Sequence, residues 1–84
     1  MTMYIKEWFY EKEEEKAMWY NTFIDTPERN EDGTVKVVDG YVLTVVEEIL
    51  QESEKAIKVR FSTGSVVGSY KGWTTWIPKS VVRA

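Results

Sequence analysis

Cysteine and histidine are both missing from these 84 residues. Their absence excludes disulfides and thiolate or imidazole metal sites, and it removes the commonest general base and the thiol nucleophile. A serine or lysine nucleophile needs a neighbouring activator, and no such pair can be picked out. Adjacent carboxylates do occur at Glu13-Glu14-Glu15 and Glu47-Glu48. On a strand, adjacent residues face opposite ways, which suits a solvated charged tip better than an acid–base pair. The stretch Asp25–Asp32 has Asn30, not glycine, at the sixth position of a calcium loop. Gly68 and Lys71 stand too far apart for a phosphate-cradling Gly-Lys loop. We expect no catalysis, no metal and no cofactor.

Long apolar runs are missing too. None approaches the ~18 residues of a membrane span, and Met1-Thr2-Met3 runs at once into Lys6 and Glu7, so no secretory apolar region forms. A cytoplasmic domain without membrane contact is the expectation. Acid is missing from the C-terminal part: no Asp or Glu follows Glu54. Residues 1–54 hold five cations against all fourteen acids, a balance of −9, whereas residues 55–84 hold six cations and no acid, +6. Such asymmetry points to an anionic partner for the basic part, or to pairing of one half against the other within the fold.

What is present is aromatic surface. Four Trp, five Tyr and three Phe can each remove roughly 150–250 Å² from water. A chain this short buries only about 60% of its unfolded surface, so one domain spanning 1–84 is expected, with those rings in its core.

The clearest local signal is Thr34–Val46, where two β-branched runs flank Asp39-Gly40. That pair accepts φ > 0 at both turn positions, which predicts a two-residue hairpin with Val38 opposite Tyr41. Ala56–Phe61 alternates strictly, placing Ile57, Val59 and Phe61 on one face and Lys58 and Arg60 on the other. Between them Glu47-Glu48-Ile49-Leu50 breaks the two-residue period, so either a bulge shifts the pleat or a helix starts near Val42; the β-branched Thr44-Val45-Val46 favours a long, bulged strand. Gly72–Ile77 reads as a strand cut by Pro78, with a further short strand at Val81-Val82. Ser62–Gly72 reads as turns and Asp25–Gly33 as an exposed loop.

Residues 1–24 admit two readings. Glu11–Lys16 is a run of six charges between two aromatic segments, Met3–Tyr10 and Ala17–Ile24. Glu and Lys favour helix, yet six consecutive charges leave no apolar stripe through its middle. Two aromatic strands around a charged tip bury more rings, so the hairpin is preferred, with helix as the alternative. The expected fold class is mainly β: a small antiparallel barrel or strongly bent sheet of five to seven strands.

Two resemblances rest on the C-terminal third. Glu54-Lys55-Ala56-Ile57 followed by Trp76-Ile77-Pro78-Lys79-Ser80-Val81-Val82 resembles small proteins of phages and other mobile elements. The ending is also similar to that of SH3-like barrels, where a hydrophobic-Pro-x-x turn of 3₁₀ type leads into a short last strand. The second resemblance implies SH3-like topology, with Pro78 and Val81-Val82 in those places. It carries over no ligand, because the acidic loop and aromatic strand of a peptide groove are not recognisable.

Basic and aromatic residues interleave at Lys58, Arg60, Tyr70, Lys71, Trp73, Trp76, Lys79 and Arg83. Single-stranded nucleic-acid binders need this mixture, with cations to follow phosphates and rings on which bases stack. Alternation puts Trp73, Thr75 and Ile77 on one face and Thr74 and Trp76 on the other, so one tryptophan turns inward and the other stays on the surface. The leading expectation is a non-catalytic domain that binds single-stranded nucleic acid by this basic aromatic face. The alternatives are a module that binds or blocks a host protein, with an acidic surface that mimics nucleic acid, and a homodimer whose acidic and basic surfaces meet.

Overall fold

The computed structural model describes residues 1–65 and 72–83. Among them are eight strands and one α-helix, a mainly β fold. The strands are β1 (Thr2–Lys6), β2 (Thr22–Ile24), β3 (Val37–Val38), β4 (Tyr41–Glu52), β5 (Ala56–Phe61), β6 (Thr63–Ser65), β7 (Trp73–Pro78) and β8 (Val82–Arg83). Helix α1 covers Glu7–Met18.

The main antiparallel sheet runs β7-β5-β4-β1-β8, with β3 paired to β4, while β2 and β6 form a second, two-stranded sheet. β4 serves both halves of the main sheet. Its first residues pair with β1, from Lys6 opposite Tyr41 to Thr2 opposite Val45. The rest pairs with β5 through two register shifts, between Val46 and Glu48 and between Ile49 and Gln51. These are the bulges that the doublets predict, and each lets one strand turn without losing its ladder. No ladder joins β7 to β8 among the described residues, so the sheet stays open there.

The predicted turn is present. Val38 faces Tyr41, and Asp39 and Gly40 carry φ of 53° and 81°. Strict alternation in β5 buries Ile57, Val59 and Phe61, which meet Ile5, Phe9, Val42, Val46 and Ile77 in the core. After β7, Lys79–Val81 makes a 3₁₀ turn and β8 returns to β1, with Ile5 opposite Val82. Thr63–Ser65 forms a strand against β2 where only turns were expected, because Thr63 can bury while Gly64 lies opposite Phe23.

Residues 1–24 correct the preferred reading. They form strand, helix and strand, and the charged run lies inside α1. The buried stripe is Phe9, Tyr10, Glu13 and Ala17, at the spacing of one helical face. The stripe does survive the charged run, because its middle member is a glutamate. Glu13 is only 2% exposed; its Oε1 accepts a 3.2 Å hydrogen bond from Trp73 Nε1. The Glu13 Oε2 lies 3.5 Å from Lys16 Nζ. The N-terminal end of the helix is closed by another element. The Glu7 amide donates to the Gly40 carbonyl at 2.9 Å, so the hairpin turn satisfies one free N-terminal donor. Beyond the right-handed C-cap Trp19, Asn21 at φ 56° turns the chain toward β2 in the left-handed region, which asparagine tolerates better than most residues.

The Asp39-Gly40 turn yields a direct test. A Cβ on Gly40 would meet nothing within 4 Å, so the cost of a substitution there is conformational alone. Gly40→Val should lower stability by more than about 1 kcal/mol in chemical denaturation, as expected for a β-branched residue held at positive φ. An unchanged midpoint would show that this turn does not hold the hairpin.

Candidate functional site

The basic aromatic residues divide among three places. Lys58 and Arg60 project from the outer face of β5, and the register sets Lys58 opposite Trp76 and Arg60 opposite Thr74 on β7. Trp76 is 45% exposed, and Lys79 follows at the end of the same strand. Trp73 belongs to the opposite face of β7. It is half-buried, bonded to Glu13 and tilted against Tyr20 with ring centroids 5.9 Å apart. The expected division of the two tryptophans therefore holds. Arg83 lies on β8, at the far edge of the sheet from β7. Its guanidinium sits 4.8 Å from the Tyr4 ring centre and 4.6 Å from that of Tyr41. Tyr70 and Lys71 lie outside the described residues.

Most of the cations that do gather are already neutralised. Arg60 meets Glu48 at 3.1 Å and Glu47 at 3.6 Å. Its stem is braced by Gly72, at φ 72°, where a Cβ would stand 2.7 Å from Arg60 Cγ and Cδ. Lys79 Nζ meets Glu52 Oε2 at 2.6 Å, and that hydrogen bond and charge hold the Glu52 carboxyl below its ordinary range. Arg83 approaches Asp39 at 3.8 Å. The two halves of the charge distribution thus pair across strands. Lys58 alone of the four described cations in the predicted site has no ion-pair partner among the described residues.

A second surface lies along α1. Glu11, Glu14, Glu15 and Met18 recur at the three- and four-residue spacing of one helical face, which adjoins the buried stripe at Tyr10, and Trp19 follows just past the end of the helix. With Tyr10 they line an open groove of about 510 Å³. Trp19, 82% exposed, stands between this groove and a second hollow of about 410 Å³ that Lys16 and Tyr20 share. Tyr20 is 72% exposed, and Met18 is exposed beside them. Met18 closes α1, and Trp19 and Tyr20 follow it in the turn before β2. Helical spacing marks only Glu11, Glu14, Glu15 and Met18 as one face, and no periodicity in the sequence adds Trp19 and Tyr20 to it.

Glu14 ties the groove to the fold. Its Oε2 accepts the Ile24 amide at 3.0 Å, linking α1 to β2. Burial raises its carboxyl above the ordinary value, partly offset by the Ile24 amide, the Tyr10 hydroxyl and Arg29. Burial and the Glu14 charge push the Tyr10 hydroxyl up to about 12.

Both shifts favour the protonated group in the folded state. The stability they carry is therefore complete below the unfolded pKa and is lost as pH rises through the folded one. Glu14→Gln keeps an acceptor for Ile24 and removes the buried charge. Its thermal midpoint should exceed wild type at neutral pH, and the difference should shrink as pH falls below Glu14's ordinary value of 4.5. The wild-type midpoint should fall further between pH 10 and about 12 as Tyr10 ionises. A Glu14→Gln midpoint that is lower at every pH would contradict this account.

No family model, curated protein or solved structure matches the chain, so its function is read from geometry and chemistry alone.

Proposed function

We propose that this is a non-catalytic interaction domain that binds another protein through the aromatic groove along α1. One observation carries the reading: Met18, Trp19 and Tyr20 are three consecutive exposed apolar side chains, the first two lining the groove and the last two the hollow beside it. Contiguous exposed apolar surface of this kind marks contact sites, and Trp and Tyr dominate binding energy where they occur at interfaces. The rings cost little entropy to fix, since each has few rotatable bonds.

Nucleic-acid binding stands second, supported by the cross-strand pair of Lys58 and the exposed Trp76. It ranks lower because Arg60, Lys79 and Arg83 already meet carboxylates. A phosphate backbone would have to displace Glu48 and Glu52 or accept their repulsion.

The SH3-like arrangement belongs to the same proposal. The meander β4-β5-β7, the 3₁₀ turn at Lys79–Val81 and the return of β8 to β1 all support it. A host protein as partner accords with the resemblance to mobile-element proteins, and a cytoplasmic location is part of the same proposal. No helix among the described residues is long and apolar enough to cross a membrane.

Trp19→Ala separates the two readings. At this exposure the substitution should change stability by no more than about 0.5 kcal/mol. A protein captured from host lysate by wild type should be lost from Trp19→Ala and retained by Lys58→Ser. The opposite pattern, with single-stranded oligonucleotide binding that weakens steeply with salt, would move nucleic acid to first place.

A further inference from the structure

The groove also says what kind of protein segment it takes. Its apolar parts are the Tyr10 ring, Met18 and Trp19, and its remaining lining is Glu11, Glu14 and Glu15, with no cation. Glu14 is engaged by the Ile24 amide. Glu11 and Glu15 are exposed, and neither has an ion-pair partner among the described residues. An apolar surface edged by uncompensated negative charge favours a side chain with an aliphatic stem and a positive end. Lysine and arginine have that form: the stem packs on Met18 and Trp19 while the cation reaches a carboxylate or the face of an indole.

A second copy of the chain fits poorly as the source of those cations. Its basic half is largely spent within the fold, with Arg60, Lys79 and Arg83 each meeting a carboxylate of their own chain. An acidic groove docked on that half would compete with Glu47, Glu48, Glu52 and Asp39. A partner with its own unpaired lysines or arginines faces no such competition.

We propose that the groove along α1 binds a basic, amphipathic segment of another protein, with Lys or Arg side chains laid over Met18 and Trp19 and directed at Glu11 and Glu15. This rests on the protein-binding reading above and adds the chemistry of the partner. Electrostatic complementarity of this kind sets partner choice and association rate more than total affinity. Specificity for charge is therefore the property to measure.

The probe is a short amphipathic peptide of Lys and Leu, beside a counterpart with Glu in place of every Lys. Both are titrated into the full chain, followed by amide and indole shifts in NMR. The Lys peptide should shift resonances of Glu11–Tyr20 and the Trp19 indole, and the Glu peptide should not. The double variant Glu11→Gln/Glu15→Gln should bind the Lys peptide about tenfold more weakly, close to 1.4 kcal/mol. Trp19→Ala should lose binding, with an unchanged far-ultraviolet spectrum showing the fold intact. Equal binding of the two peptides at the groove would overturn the charge preference and leave the protein-binding reading standing. Shifts confined to the β4–β5 carboxylates, or binding indifferent to Trp19→Ala, would overturn both. Concentration-dependent dimerisation that Trp19→Ala abolishes would identify the occupant as a second copy and overturn the proposal.

Discussion

The hydrogen bond from the Trp73 indole to the Glu13 carboxylate joins the two ends of the chain across sixty positions of sequence. A carboxylate this deeply buried is destabilising unless hydrogen bonds replace its water. Trp73 supplies one, and Lys16 on the next turn brings a positive charge to the other oxygen. Rotating α1 about its axis would carry the Lys16 contact with it but break the bond to Trp73, so that bond fixes the orientation of the helix. That orientation turns Glu11, Glu15 and Met18 outward. The groove is thus a consequence of where Glu13 is held.

The same tie explains which parts of the fold were legible in the sequence. Elements governed by local rules were readable: the Asp39-Gly40 turn, the alternation of β5 and the doublets that bulge β4. Each depends on neighbours within a few positions. The first 24 residues were not readable in the same way. Hydrophobic patterning treats every glutamate as solvent-facing, and by that rule Glu11–Lys16 cannot carry a buried stripe. Its partner indole is too distant in sequence for any periodicity to register. Without Trp73 in view, Glu13 is indistinguishable from Glu14 and Glu15.

Charge segregation was legible, but its consequence was not. A +6 tail after Glu54 suggests a basic surface waiting for an anion. In the fold, antiparallel pairing sets β5 beside β4, so Arg60 falls against Glu47 and Glu48, and Lys79 reaches Glu52. Sequence segregation becomes spatial mixing because a hairpin brings successive segments side by side. Individually, exposed pairs of this kind add little stability. Their larger effect is to reduce the field that phosphate would meet, and it is on α1, where no basic strand runs alongside, that unpaired acid and exposed rings remain together.

Hydrogen exchange at the indole nitrogens tests the Glu13–Trp73 tie most directly, and the exposed Trp8 and Trp19 serve as internal references. The account predicts that the Trp73 indole proton exchanges far more slowly than those two, through global unfolding alone. It also predicts that Glu13→Leu, which removes the acceptor but keeps an apolar stripe, brings Trp73 close to their rates. A Trp73 indole that exchanges as fast as that of Trp19 in the wild-type chain would contradict it.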